Sequence, residues 1–164
     1  MGFVRVLMVM LAGVVLASCG ASKFQRYNGP AVTLIEVHKG DRKMYLLHNR
    51  TILETYDIAL GFAPVGHKQF EGDGKTPEGA YLINRRNPES NYHLSLGISY
   101  PDVEDVAFAS AAGQLPGGEI FIHGGPTDTI YQRDWTAGCI AVSDKDIERI
   151  YAMVRDGTVV NIVP

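Results

Sequence analysis

The sequence predicts a mostly β domain of the α+β kind, with one or two helices packed on the strands. Three features carry that expectation. Short runs rich in β-branched, aromatic and aliphatic residues recur from residue 32 onward, separated by Gly, Asn and Pro. The stretch from 61 to 79 is dense in Gly and Pro and reads as a loop. The clearest helical spacing of apolar residues begins at Ser143.

The elements follow in order. Val32–Val37, Lys43–His48 and Ile52–Leu60 read as strands. Gly40-Asp41 and His48-Asn49 punctuate them as tight turns, which suggests an antiparallel meander. After the loop, Ala80–Asn84 and Tyr92–Tyr100 are further strand candidates, and Val103–Ala112 suits a short helix. Glu119–Ile122 forms a short strand running straight into His123. In the C-terminal helix, Ser143 offers an N-cap, while Asp144 and Asp146 suit the helix dipole. Ile147, Ile150, Tyr151 and Val154 share one face, Gly157 is the expected stop, and Thr158–Val163 reads as the last strand.

A chain of 164 residues suits one domain and can bury a core without metal or disulfide staples. An isoelectric point near 5.9 and the absence of a basic stripe argue against a nucleic-acid partner. No histidine has metal-ligand spacing, so His38, His48, His67 and His93 read as surface or strand residues, and neither a metal nor a cofactor is expected. The Lys75-Thr76 pair in the glycine-rich loop lacks the spacing of a phosphate-binding loop.

Residues 1–18 form a unit of their own. Arg5 precedes an apolar run, Val6–Ala17, that is too short to span a membrane and reads as the core of a signal peptide. Removing this unit takes away one cation and no acid, leaving 14 basic and 18 acidic residues. The run ends in Leu16-Ala17-Ser18-Cys19, and residues 19–30 read as a short tether before a domain at 31–163. Small residues before a cysteine resemble the lipobox of bacterial lipoproteins. That resemblance implies a lipid on Cys19 and a place on the periplasmic side of the cell envelope. The only other cysteine, Cys139, is then a free thiol in an oxidising compartment, a liability unless it is used.

Two segments carry candidate chemistry: Ile122-His123-Gly124-Gly125-Pro126 and Trp135-Thr136-Ala137-Gly138-Cys139-Ile140. A thiol attacks carbonyls as thiolate and needs an imidazole within hydrogen-bond reach to take its proton. Gly124 and Gly138 allow close backbone approach, and amides near Cys139 offer an oxyanion site. Taken alone, a free cysteine is equally at home as a small apolar filler in a core.

The flanking residues go further. His-Gly, a gap, and then Thr-x-Gly-Cys resembles the L,D-transpeptidase catalytic domain, also called YkuD-like. Thr76-Pro77-Glu78-Gly79-Ala80-Tyr81 resembles the Thr-Pro-x-Gly-x-Tyr element of the same family, and the likeness runs from about Val32 to Val163. It implies a β-sandwich or mixed sheet and acyl-enzyme chemistry on peptidoglycan stem peptides, between meso-diaminopimelate and D-alanine. By position, Cys139 matches the nucleophile and His123 the base. Gly124 matches the residue whose carbonyl orients the imidazole, and Thr136 and Gly138 match the support of the cysteine motif. Arg86 and Trp135 are weaker candidates for substrate contacts. Ala137 and Ala141 depart from the polar residues common in transpeptidases, and the motif is closer to a YafK-like branch, some of whose members release proteins from peptidoglycan. That pattern favours water over an amine as acyl acceptor, with a peptidoglycan-linked protein as a further partner. The alternative is a non-catalytic envelope lipoprotein that binds peptidoglycan through a dead copy of the fold.

Overall fold

The computed structural model describes residues 22–125 and 133–164. The leader, Cys19 and Pro126 lie outside the described residues. Eight strands form a single mixed sheet in the order β3-β2-β1-β8-β4-β5-β6-β7. β1 (Leu34–His38), β2 (Lys43–His48) and β3 (Thr51–Asp57) form the antiparallel meander. β8 (Val159–Val163) lies parallel to β1, and β4 (Gly79–Asn87) runs antiparallel to β8. β5 (Ser95–Ile98) and β6 (Phe121–His123) continue antiparallel, and β7 (Ile140–Ala141) adds parallel to β6.

The sheet curls on itself. Beyond β3, Ala59 bridges Ala141 and Gly61 bridges Thr136, so the chain leaving one edge strand pairs with the opposite edge. This is why the expected strand Ile52–Leu60 breaks at Asp57. Its first part pairs with β2, and the remainder crosses to β7 and holds the cysteine motif.

Two helices are described. α1 (Val103–Ala111) starts with a capping box, in which the Asp102 side chain accepts from the amides of Glu104 and Asp105. α2 (Asp144–Met153) starts at the N-cap Ser143, whose hydroxyl accepts from Asp146 N–H. Its Ile147 and Ile150 are fully buried in the core, each stabilising by roughly 1.5–3 kcal/mol. α2 ends earlier than Gly157: Val154 turns to extended backbone, and Gly157 (φ 85°) instead serves the turn into β8.

The expected strand Tyr92–Tyr100 is also shorter, spanning Ser95–Ile98, because His93 adopts a left-handed turn conformation with φ 68°. Residues 22–30 are folded onto the domain. Gln25 bonds Glu148, Tyr27 lies under the Arg149 guanidinium at 5.0 Å, and Lys23 reaches carbonyls of the loop after β4.

Candidate active site

β6 and β7 bring the two candidate groups together. Their parallel register sets Ile122 opposite Ile140 and His123 opposite Ala141. One residue back, Cys139 is level with Phe121, two residues from His123, so both side chains leave the same face of the sheet. Strand spacing and rise place their Cα atoms roughly 8 Å apart, within reach for an imidazole and a thiol. Both line one pocket of about 310 Å³ with Asn87, Ser90, Tyr92 and Phe121.

His123 is 3% exposed. Its Nδ1 lies 2.6 Å from the Gly124 carbonyl oxygen. A carbonyl only accepts, so Nδ1 carries the proton and Nε2 of the neutral ring is the free base. Tyr92 stacks on the imidazole, with centroids 4.4 Å apart at 30°, and Trp135 meets its edge at 5.8 Å. Burial pushes the His123 pKa below its ordinary value, against the opposing pull of the Gly124 hydrogen bond. Burial likewise pushes the Cys139 thiol up, opposed by the Phe121 backbone and reinforced by the Glu119 carboxylate. Burial thus favours the neutral form of each group. At rest Cys139 Sγ donates to the Glu119 carbonyl oxygen at 3.5 Å. Glu119 is itself left-handed (φ 54°), a conformation that costs a non-glycine residue on the order of 1 kcal/mol and is held here beside the thiol.

The turn that presents Cys139 is tied by Thr136. Its Oγ1 donates to the Cys139 carbonyl at 2.7 Å and accepts from Gly138 N–H at 3.1 Å. The Gly138 amide is thus engaged within the turn. Gly138 has φ 136°, and a Cβ there would lie 2.6 Å from the Lys75 carbonyl oxygen, so this position requires glycine.

The glycine-rich loop is the buttress behind the turn. Thr76 Oγ1 accepts from Gly61 N–H. Burial alone would raise the Asp73 carboxyl. The amides of Gln69, Phe70 and Lys75 and the Lys68 ammonium overcome it and hold the group at about 2. Arg42 forks onto Asp134 through Nε (2.8 Å) and Nη2 (2.6 Å), pinning the residue before Trp135.

Arg86 goes elsewhere. Its guanidinium donates to the Val154 and Tyr151 carbonyls (the latter at 2.6 Å) and lies 3.8 Å from the Tyr151 ring. α2 has no basic residue in its last turn, and Arg86 supplies the cation from β4. It lines a different pocket from Cys139. Tyr92 was not singled out by sequence, because it reads as the first residue of a strand. The adjacent Asn91 is the one turn signal against that reading.

Ala137 is exposed and lines a second cleft of about 630 Å³ with Lys68, Glu71, Leu115 and Glu119. Ala141 is fully buried between Ala59 and His123 and lines neither cleft. His38, His67 and His93 each meet a carboxylate, and His48 meets a carbonyl. Among the described residues no three His, Cys, Asp or Glu side chains converge as metal ligands, and no helix is long and apolar enough to cross a membrane.

The thiol, the oriented imidazole and Glu119 thus meet at one pocket. Residues 32–162 match the YkuD L,D-transpeptidase catalytic domain. The chain belongs to this family. YafK of Escherichia coli K12, whose name assigns it provisionally to the L,D-transpeptidases, is 28% identical over 131 residues, covering 76% of this chain and 48% of YafK. The crystal structure of Pgp2, a helical cell shape determining protein of Campylobacter jejuni, superposes with a TM-score of 0.62 at 29% identity, covering 83% of this chain and 49% of Pgp2. An L,D-transpeptidase of Mycobacterium smegmatis shares the fold at 13% identity, with a TM-score of 0.56 over 82% of this chain and 59% of that one. The chain spans about half the length of the curated relatives it matches.

Proposed function

We propose that this domain is a cysteine acyltransferase of the cell envelope acting on peptidoglycan stem peptides, with Cys139 as nucleophile and His123 as base. The observation that carries the reading is the His123 Nδ1 bond to Gly124, which leaves Nε2 as the base in the pocket shared with Cys139. Nε2 takes the thiol proton as Sγ attacks the carbonyl carbon of the scissile amide. The imidazolium then gives that proton to the leaving amine, and a thioester remains on Cys139. With the Gly138 amide engaged, the Cys139 N–H is the donor assigned to the developing oxyanion.

The second half of the cycle is assigned to water, with release of a peptidoglycan-linked group. Crosslinking requires a grip on a second stem and its amine, and Ala137 places a methyl on the adjoining cleft where a polar side chain would supply one. The test offers a tetrapeptide muropeptide donor together with an amine acceptor. Released tripeptide as the main product supports hydrolysis, and a crosslinked dimer as the main product overturns that assignment. Cys19 is proposed as the lipidated residue that holds the domain on the periplasmic side of the envelope. Mass spectrometry of the native protein should find a diacylglycerol-modified cysteine there, and an unmodified thiol sinks the anchor.

A further inference from the structure

We propose that Lys23, in the segment that precedes the domain proper, is a positioning residue for the active site and acts through Tyr92. The proposal rests on the reading of Cys139 and His123 as the reacting pair.

The loop between β4 and β5 carries Tyr92, and Tyr92 is what covers the face of the imidazole. The loop's own ties are short-range: Asn87 Oδ1 accepts from Glu89 N–H at 3.0 Å, and Ser90 Oγ accepts from Tyr92 N–H at 3.1 Å. Residues 87 to 91 are Asn, Pro, Glu, Ser and Asn, and Tyr92 is 47% exposed. The Tyr92 ring meets Trp135, 6.0 Å between centroids, but no apolar side chain of the loop itself keeps it against His123. The restraint comes from outside. Lys23 is half-buried, and its Nζ donates to the Pro88 carbonyl at 2.6 Å and to the His93 carbonyl at 3.3 Å, so one ammonium joins the two ends of the loop.

A second tie runs beside it. Glu148 on α2 accepts from Gln25 Nε2 at 3.2 Å through one oxygen and pairs with His93 Nε2 at 2.8 Å through the other. The N-terminal segment and the loop are thus fastened to the same helix. His93 has φ 68°, a left-handed conformation that a non-glycine residue keeps only where its surroundings over-determine it.

The restraint is transmitted over a short path. The Tyr92 carbonyl accepts from Leu94 N–H at 2.8 Å, and the Leu94 carbonyl accepts from Gly124 N–H at 3.3 Å. Gly124 is the residue whose own carbonyl fixes the His123 tautomer. Lys23, the loop, Tyr92 and the imidazole therefore form one connected series. Without the ammonium the loop ends separate, the Tyr92 ring leaves the imidazole face, and the base loses the wall that holds it towards Cys139.

The experiment measures the rate at which a neutral thiol-reactive probe modifies Cys139 at pH 7 in the full chain. Wild type is compared with Lys23→Met, Lys23→Arg, Tyr92→Ala and the Lys23→Met/Tyr92→Ala double variant. Lys23→Met should slow labelling about tenfold, the size of a lost hydrogen bond to a charged group. Lys23→Arg should restore the rate, because it can donate to both carbonyls. The double variant should be no slower than the worse single one, since both changes break the same series. Lys23→Met should still unfold in one cooperative thermal transition, because the buried core is untouched. A wild-type labelling rate in Lys23→Met overturns the proposal, and so do single effects that multiply in the double variant. Muropeptide turnover is not the readout, so failure of the substrate assignment leaves this comparison intact. Equal labelling of wild type and His123→Ala would instead defeat the reacting pair itself, and the proposal with it.

Discussion

Thr136→Val keeps the shape of a side chain that is 4% exposed and deletes its hydroxyl. Two hydrogen bonds go with it, one to the Cys139 carbonyl and one from Gly138 N–H. Each stranded buried backbone group costs roughly 1–3 kcal/mol, so the turn should lose about 2–6 kcal/mol in all. With a urea dependence of about 2 kcal/mol per molar, the unfolding midpoint should fall by roughly 1–3 M at an unchanged slope. The nucleophile should suffer too, because the same hydroxyl sets the direction in which Cys139 leaves the turn. Urea titration followed by circular dichroism, paired with the rate of Cys139 alkylation at pH 7, reads both effects. Thr136→Ser retains the hydroxyl and should stay close to wild type in each. A midpoint shift below about 0.3 M together with wild-type alkylation would refute the reasoning, since the turn would then be held by something other than Thr136.

Two further outcomes follow from the same geometry. Burial lowers the His123 pKa, and only the neutral imidazole accepts the thiol proton, so activity is present above that lowered value and is lost as pH falls through it. The acidic limb of kcat/KM should therefore lie below the ordinary histidine value of about 6.5, and a limb above it would contradict a buried neutral base. Arg86→Met should lower the thermal midpoint by releasing the last carbonyls of α2 while leaving Cys139 alkylation unchanged; slowed alkylation at an unchanged midpoint would return Arg86 to the site.

Much of the fold was legible because its punctuation is local. β2 begins and ends where the turn residues Gly40-Asp41 and His48-Asn49 place it, and Asn49 takes the left-handed conformation that such a turn needs. α2 was legible at its start, where Ser143 caps it, but not at its end. Its C-terminus is capped by Arg86 from β4, a contact with no signature in the neighbouring sequence. β7 was missed because two residues carry no periodicity, and it exists through pairing with β6 and with the chain beyond β3.

The site divides the same way. Cys139, His123, Gly124, Thr136 and Gly138 sit in two contiguous motifs, so their proximity needs only that β6 and β7 pair. Tyr92 belongs to a polar loop with no motif, and its place on the imidazole depends on the Lys23 and Glu148 contacts, which are 65 or more and 55 residues away in sequence. Residues 20–30, small and polar in part, read as a tether, yet Lys23, Gln25 and Tyr27 find partners that only the folded domain supplies.

The central claim is a thioester on Cys139 made with the help of His123. Intact-mass spectrometry after rapid acid quench, with a tetrapeptide muropeptide as donor, tests it most directly. Wild type should carry an adduct of the donor less its terminal D-alanine, mapped to the peptide containing Cys139. Cys139→Ala should carry none, and His123→Ala should accumulate it far more slowly. Turnover by Cys139→Ala, or an adduct on wild type that maps to another residue, would contradict the account.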